Sequence, residues 1–473
     1  MTDTRSEAIA RLQGVRYSSW TSLTKIAACA AVAVAVALLP EYPGLEPAGR
    51  AALLILLLAA GLWISEAMPA FAVGLLVIGL EIAILGRPGG VFASEPDDWQ
   101  RFIVVWGSPL IWLFFGGFVL AAAAEKTGLS TWMAGWILDR LGTRPSIQLL
   151  GCMGVTFVFS MFISNTATAT MMVTVMMPLI RSLPDQDPRA KSLLLGIAFA
   201  ANLGGMGTII GSPPNAIAAG ALRSVAPIDF AHWIMLGLPP AVVLLAVAWI
   251  YLVWRYPAKN LLLARQFSET GGESMNAAPV PLWKRVTVIG VFAVTIAMWL
   301  TGSWHGIPAT VVSFVPICTL TAMGILDALD IRGIPWDVLL LIAGGLSLGV
   351  AVTDTGLAMW LVGHLPTASW GAFLLALVFS YVTSLMSNLM SNTAAANILV
   401  PIALVASVGV ESQVVVAIAL GASAAMCLPI STPPNAIVYG TRRLGTKDLL
   451  QGGLLLGLLA PPLVSAWCWI VLR

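Results

Sequence analysis

The sequence interrupts its apolar segments with the same polar motifs in two places. Ser164-Asn165-Thr166 lies within an apolar stretch, and Ser391-Asn392-Thr393 follows 227 residues later. A second motif follows each triplet, as Ser212-Pro213-Pro214-Asn215 and as Thr432-Pro433-Pro434-Asn435. Because proline lacks a backbone donor and ends helices, each Pro-Pro predicts a helix break. Irregular backbone at membrane depth is tolerated only where it is buried in protein or lines a cavity.

The composition is typical of a membrane protein. Hydrophobic residues make up 59% of the 473 residues and charged residues only 10%. This excludes a soluble domain and leaves room for roughly ten or more membrane spans. The net charge of +2, without a basic tract interleaved with aromatics, gives no indication of a nucleic-acid partner. The scattered cysteines and histidines predict no disulfide framework and no metal cluster, and we expect no organic cofactor.

The apolar segments are too numerous for each of them to cross a membrane. Few polar residues separate the two segments around each triplet, so we predict re-entrant hairpins at about 145–181 and 370–408. The short segments around each Pro-Pro predict broken helices at about 190–222 and 412–440. Duplicated, interrupted segments at matching places in two halves are typical of the binding site of a secondary transporter.

The distribution of Lys and Arg supports this path. If each hairpin returns to its own side and each broken helix crosses once, nineteen of the 24 Lys and Arg residues lie on the cytoplasmic side. This agrees with the positive-inside rule and predicts a cytoplasmic N-terminus. The first hairpin then opens inward and the second outward, so the two halves form an inverted-topology repeat. No Asn-x-Ser/Thr sequon occurs, which fits the plasma membrane of a bacterium, its inner membrane.

Further matches define the boundaries of the repeat. Gly116-Gly117 and Gly344-Gly345 are separated by 228 residues, close to the separation of the two triplets. The predicted division is an N-terminal cytoplasmic segment with the first span at 1–50, a first repeat at 51–256, a cytoplasmic linker at 257–284 and a second repeat at 285–473.

The motifs contain both uncharged oxygen atoms that can bind a cation and uncharged hydrogen-bond donors that can bind an anion. Hydroxyl, amide and freed carbonyl oxygens suit a hard cation such as Na⁺, whereas amide and hydroxyl hydrogens can bind a carboxylate. No Lys, Arg or His occurs at 145–180 or at 365–440. Because burying an uncompensated charge is very unfavourable, an anion bound there would need a cation beside it. The alternative interpretation is that Ser-Asn-Thr only caps helices.

These motifs, together with Trp63-Ile64-Ser65-Glu66-Ala67-Met68-Pro69, resemble the divalent anion/sodium symporter family over nearly the whole chain. That family includes Na⁺-coupled dicarboxylate, citrate and sulfate carriers. The resemblance implies an all-α polytopic fold with about eleven spans, two re-entrant hairpins and two broken helices. It also implies a fixed scaffold, a mobile transport domain, elevator-type movement and a homodimer.

Matching positions imply the residues of the site. The first sodium site would use Ser160, Ser164, Asn165 and Gly211. The second would use Ser387, Met390 through its backbone, Ser391, Asn392 and Ser431 through its backbone or hydroxyl. Substrate carboxylates would contact Ser164, Asn165, Thr166 and Ser212 on one side, and Ser391, Asn392, Thr393 and Thr432 on the other.

We therefore expect a transporter that couples inward Na⁺ flow to uptake of a C4-dicarboxylate such as succinate, malate or fumarate. The alternative is an exchanger of dicarboxylate, tricarboxylate or sulfate with the same fold and no Na⁺ coupling. The absence of basic residues at the hairpin tips argues against the exchanger. A channel would not need two opposed hairpins, and no nucleophile–base pair indicates an enzyme. We interpret the intramembrane acids Glu66 and Glu81 as structural, although such acids are functional candidates by default.

Overall fold

A computed structural model describes residues 19–39, 42–138, 144–184, 187–257, 281–364 and 370–472. Within these ranges the chain is α-helical and contains no β-strand. The start of the predicted N-terminal segment, 1–18, and most of the predicted linker, 258–280, lie outside the described residues.

Most helices are separated by short loops. In the first half they are α1 (Ser19–Ala37), α2 (Pro47–Ser65), α3 (Ala70–Leu80), α4 (Pro109–Lys126), α5 (Leu129–Leu138), α6 (Pro145–Ser160), α7 (Asn165–Ser182), α8 (Pro188–Gly204), α9 (Pro213–Ala221) and α10 (Phe230–Arg255). In the second half they are α11 (Leu282–Leu300), α12 (Gly302–His305), α13 (Ala309–Val312), α14 (Phe314–Ala322), α15 (Ala328–Arg332), α16 (Trp336–Asp354), α17 (Leu357–Gly363), α18 (Ala372–Leu389), α19 (Asn392–Ala406), α20 (Glu411–Ser423), α21 (Pro433–Gly440) and α22 (Thr446–Val471).

The two halves repeat one order of elements. Helices α4 to α10 and α16 to α22 each comprise a long helix, a short helix, a hairpin pair, a broken pair and a final long helix. The final helices α10 and α22 both have 26 residues. Both contain a central proline pair, Pro239-Pro240 and Pro461-Pro462, which the motif comparison had missed. The structural repeat therefore extends beyond the polar motifs to the ends of both halves.

The helices have the length and composition of membrane spans. Among the described residues, eight helices are long and apolar enough to cross a membrane. The two hairpins and the two broken helices are here called the interrupted units. Two of the eight helices belong to them, namely Pro188–Gly207 in the first break and Ala372–Leu389 in the second hairpin. The chain is a multi-pass α-helical membrane protein, as the composition predicted.

Glycine pairs bring helices of different units into backbone contact. A Cβ atom at Gly344 would overlap Gly74 Cα, because α16 and α3 cross closely at this point. A Cβ at Gly345 would overlap the amide oxygen of Asn397 on α19, the return arm of the second hairpin. The pair thus permits two close contacts on adjacent faces of α16.

The equivalent pair on α4 has a similar role. A Cβ at Gly116 would lie 2.6 Å from Ser313 Cβ, next to α14. A Cβ at Gly117 would lie 3.1 Å from Ile210 Cδ1, within the first helix break. In each repeat, one glycine therefore permits a crossing with a neighbouring helix and the next makes room for an interrupted unit.

Both intramembrane acids have structural contacts. Glu81 is fully buried at the start of a π-helical turn, Glu81–Gly86, and accepts a hydrogen bond from Ser347 Oγ on α16. Glu66 follows the last residue of α2 with a left-handed φ of 48°, and its backbone N–H donates to Trp63 O at 3.4 Å. The Glu66 contact involves its backbone alone, and Glu81 Oε1 has no hydrogen-bond partner among the described residues, so the structural interpretation of both acids stays a prediction.

We predict that Gly344→Ala destabilises the fold by about 1–3 kcal/mol, because the added methyl group collides with backbone. The measurement is the apparent melting temperature of the purified protein in detergent. Gly349→Ala on the same helix is the matched control, since a Cβ there meets only Pro401 Cγ at 3.7 Å. Equal melting temperatures for the two variants would contradict the proposed backbone contact.

Candidate functional site

Each Ser-Asn-Thr motif forms the tip of a helical hairpin. Ser164 Oγ accepts the Ala167 N–H at 3.2 Å, and Ser391 Oγ accepts the Ala394 N–H at 3.2 Å. The two serines are therefore N-caps of α7 and α19. The capping interpretation is correct for these hydroxyl groups, but it does not explain the asparagines that follow them.

The first tip contacts the first helix break through a cluster of oxygens. The Asn165 amide faces Ser160 Oγ at 2.6 Å, Ala201 O at 3.1 Å and Gly211 O at 3.2 Å. Ser160 Oγ donates to Ala201 O at 2.6 Å. Since all three partners offer lone pairs, the amide nitrogen is the group that bonds to them. With the amide turned by half a rotation, the same atoms would form a ring of oxygens suited to a hard cation.

Three of the four residues predicted for the first sodium site thus lie together, namely Ser160, Asn165 and Gly211. The fourth, Ser164, caps α7 beside them. The Ala201 carbonyl was not predicted, because a backbone oxygen on a regular helix gives no signal in sequence.

The second tip contains buried oxygens that lack a donor. Ser387 is fully buried, and neither its Oγ nor the Oδ1 of Asn392 has a hydrogen-bond partner among the described residues. Buried polar atoms without partners are uncommon in folded proteins. Ser387 and Asn392 stand 227 residues after Ser160 and Asn165. The two pairs of residues are therefore equivalent in sequence, but in the first tip the Asn165 amide nitrogen bonds to Ser160 Oγ, whereas in the second tip neither oxygen has a donor among the described residues.

Asn388 ties the second tip to the second helix break. Its Oδ1 accepts the Cys427 N–H at 2.8 Å and the Ser431 hydroxyl at 3.0 Å. Its Nδ2 donates to Ser384 O at 2.8 Å. Because the Ser431 hydroxyl also accepts the Leu428 N–H at 3.0 Å, it is engaged within the break. Which group of Ser431, its backbone carbonyl or its hydroxyl, would bind Na⁺ stays a prediction.

The asparagine after each Pro-Pro satisfies the broken backbone. Asn215 Nδ2 donates to Gly205 O at 2.8 Å and to Thr208 O at 2.7 Å. Asn435 Nδ2 donates to Met426 O and to Leu428 O, both at 2.9 Å. Each amide therefore bonds two carbonyls that the break has released from helical hydrogen bonding. Both residues were part of the repeated motif, but they were not singled out.

The two breaks contact each other across the halves of the chain. Ser423 Oγ lies within hydrogen-bond distance of Ser212 Oγ, at 3.3 Å, and Asn202 Nδ2 donates to Thr432 Oγ1 at 3.0 Å. All four residues are buried. Helix α9 of the first break also packs against α19, while α21 of the second break packs against α7. The predicted substrate residues Ser212 and Thr432 thus lie where the breaks meet.

The remaining predicted positions surround the hairpin tips. Thr166 and Thr393 occupy the first turns of α7 and α19, the former exposed and the latter buried. Ser391 is exposed at its tip, whereas the side chain of Met390 is buried.

Comparison with known proteins identifies the family. A sequence model described as that of a citrate transporter matches residues 51–415. The sodium-dependent dicarboxylate transporter SdcS of Staphylococcus saprophyticus is 31% identical over 464 residues, which cover 89% of this chain and 86% of that protein. SdcS of Staphylococcus aureus strain USA300 is 30% identical over 439 residues, which cover 84% and 81%. The chain belongs to the divalent anion/sodium symporter family.

Solved structures support the fold alone. The YdaH transporter of Alcanivorax borkumensis aligns with a TM-score of 0.55 and 12% identity over 86% of this chain and 98% of that chain. MtrF of Neisseria gonorrhoeae aligns with a TM-score of 0.56 and 13% identity over 86% and 96%. Membership of the symporter family makes this chain a membrane transporter and not an enzyme.

We predict that Asn215→Asp and Asn435→Asp each destabilise the protein. A carboxyl group of the same shape can donate at most one hydrogen, so at least one buried carbonyl loses its donor, at about 1–3 kcal/mol for each. Melting temperatures in detergent would measure the loss. Gln100→Glu, the same amide-to-carboxyl change at an exposed residue of the 3-10 helix Asp98–Phe102, is the control. Unchanged stability of both variants would contradict this role for the asparagines.

Proposed function

We propose that the protein is a symporter that couples inward Na⁺ flow to uptake of a C4-dicarboxylate such as succinate, malate or fumarate. The observation that carries this proposal is the pair of buried oxygens of Ser387 and Asn392, which lack donors. Buried oxygens without donors are suited to a cation that the protein binds and releases. The Staphylococcus relatives are named sodium-dependent dicarboxylate transporters, and these names support Na⁺ and a dicarboxylate as the transported ions.

The charge distribution supports coupling between the two kinds of ion. No Lys, Arg or His occurs at 145–180 or at 365–440, so the hairpins offer an anion no basic side chain. The N-terminal ends of α7, α9, α19 and α21 add only partial positive charge. A dianion in this environment would be stabilised chiefly by Na⁺ ions bound beside it.

In this proposal each group of residues has a distinct task. The first sodium site uses oxygens of Ser160, Ser164, Asn165 and Gly211. The second uses oxygens of Ser387, Met390, Ser391, Asn392 and Ser431. The substrate carboxylates accept hydrogen bonds from Ser164, Asn165, Thr166, Ser212, Ser391, Asn392, Thr393 and Thr432.

The proposed movement is of the elevator type. The interrupted units with α10 and α22 would form the transport domain, and α1 to α4 with α11 to α16 the scaffold. Contacts of α16 with α9 and α19 lie on the boundary between these two groups. We further propose a homodimer in the plasma membrane, with the N-terminus in the cytoplasm.

The test is uptake of labelled succinate into proteoliposomes that contain the purified protein. We expect uptake with an inward Na⁺ gradient, and only background uptake when K⁺ replaces Na⁺. An exchanger would instead require a dicarboxylate inside the vesicles and would be indifferent to Na⁺. Either of those results would overturn the proposed symport.

We predict that Asn165→Ala and Asn392→Ala each lower Na⁺-driven uptake at least about tenfold, since each removes a ligand of a charged group. Initial rates in proteoliposomes would measure the loss, with size-exclusion profiles to confirm that the variants are folded. Ser182→Ala, at an exposed position at the end of α7, serves as the control. Wild-type uptake by either folded asparagine variant would remove that residue from the site.

A further inference from the structure

Hydrogen bonds between the two breaks determine which hydroxyl groups can donate to a ligand. The chain of hydrogen bonds begins at two backbone carbonyl oxygens, which can only accept. Asn435 Nδ2 donates to Met426 O and to Leu428 O, each at 2.9 Å, and both of its hydrogens are thereby used. The Asn435 amide is therefore fixed, and its Oδ1 is left as an acceptor. This oxygen faces Asn202 Nδ2 at 3.4 Å.

The orientation of Asn202 follows from that of Asn435. If the Asn202 amide were reversed, its oxygen would lie against Asn435 Oδ1, and two acceptors would face each other. Asn202 Nδ2 therefore points to Asn435 Oδ1 and to Thr432 Oγ1, at 3.4 and 3.0 Å. Asn202 Oδ1 has no partner among the described residues, so this orientation leaves one buried acceptor unpaired.

Thr432 thereby becomes an obligatory donor. Its Oγ1 accepts from Asn202 Nδ2 and also from the Asn435 backbone N–H at 3.4 Å. A hydroxyl group has two lone pairs and one hydrogen, and both lone pairs are now occupied. Only the hydrogen of Thr432 remains to meet a ligand.

The other half contains an equivalent contact. Ser423 Oγ lies 3.3 Å from Ser212 Oγ and 3.4 Å from Ala419 O of its own helix, so its single hydrogen is shared between these two oxygens. Ser212 makes no capping bond to its own helix. Asn202 and Ser423 are 221 residues apart, and Ser212 and Thr432 are 220 residues apart. In each half, a polar residue near the end of the first helix of the break thus contacts the hydroxyl at the opposite break, but only the amide of Asn202 has a fixed direction of donation.

We propose that Asn202 is a positioning residue of the substrate site, and that it orients the Thr432 hydroxyl of the opposite half as a hydrogen-bond donor to a carboxylate. The inference rests on the proposed function, which assigns Ser212 and Thr432 to substrate. An ionised carboxylate can only accept hydrogen bonds, so a hydroxyl that is already oriented as a donor loses no rotational freedom on binding. The arrangement selects ionised over protonated carboxyl groups, because an acid proton would find no acceptor at Thr432.

A double-mutant cycle tests the proposal. The variants are Asn202→Leu, Thr432→Val and the double variant, and the readout is the Kd for labelled succinate in detergent at saturating Na⁺. We expect each single change to weaken binding about tenfold, as for a hydrogen bond to a charged group. In the Thr432→Val background, Asn202→Leu should add little, because it acts only through the Thr432 hydroxyl. An additive loss of about a hundredfold would overturn the proposal.

A second cycle with a smaller substitution, Asn202→Ala, keeps the test decisive if Asn202→Leu does not fold. Ser407→Ala is the control, since among the described residues this buried hydroxyl bonds to Ala403 O of its own helix at 2.6 Å and to no residue of the breaks. If Thr432→Val leaves the Kd unchanged, the proposed substrate site at Thr432 is wrong. If Thr432→Val weakens binding but the Asn202 variants do not, only the positioning role is wrong.

Discussion

The structure depends on satisfying backbone that leaves its helix within the membrane. Lipid offers no hydrogen bonds, so every released carbonyl needs a partner in the protein. Asn215 and Asn435 each bond two such carbonyls and thereby allow the chain to continue as a new helix after Pro-Pro. Other oxygens near the breaks, such as Gly211 O, then remain directed at the hairpin tip. The helix break releases carbonyls that would destabilise the fold if unpaired, and it also supplies oxygens to the candidate site.

Each half of the chain contributes contacts that the other half needs where the breaks and the hairpins meet. Helix α9 packs against the return arm of the second hairpin, and α21 packs against that of the first. The hydrogen-bonded pairs Asn202–Thr432 and Ser423–Ser212 likewise join the break of one half to the break of the other. Neither half contains the complete set of contacts on its own. A duplicated unit of this kind forms its site only when both copies have folded against each other.

The sequence predicts local features well and distant partners poorly. Pro213 and Pro433 predicted both breaks correctly, because proline lacks the backbone donor that continues a helix. The proline pairs inside α10 and α22 show that this signal alone does not decide a break. N-capping is also local, which is why the role of Ser164 could be considered in advance. Asn202, however, bonds a residue 230 positions away, and Ser423 one 211 positions away. Nothing in the sequence around Asn202 indicates its distant partner, and Ser423 Oγ also bonds to Ala419 O of its own helix at 3.4 Å.

The proposed chemistry of an uncharged site explains why coupling could be strict. A buried arginine would hold a dicarboxylate whether or not Na⁺ was present, and the two ions could then move separately. The basic residues Lys126, Arg189 and Lys191 instead form ion pairs with acidic side chains at the ends of helices. With neutral ligands only, the anion binds well when cations are bound, and by linkage the cations bind better beside the anion. In the proposed mechanism, half-loaded states would be disfavoured by the cost of a buried, unbalanced charge, and only the fully loaded or the empty site would cross the membrane.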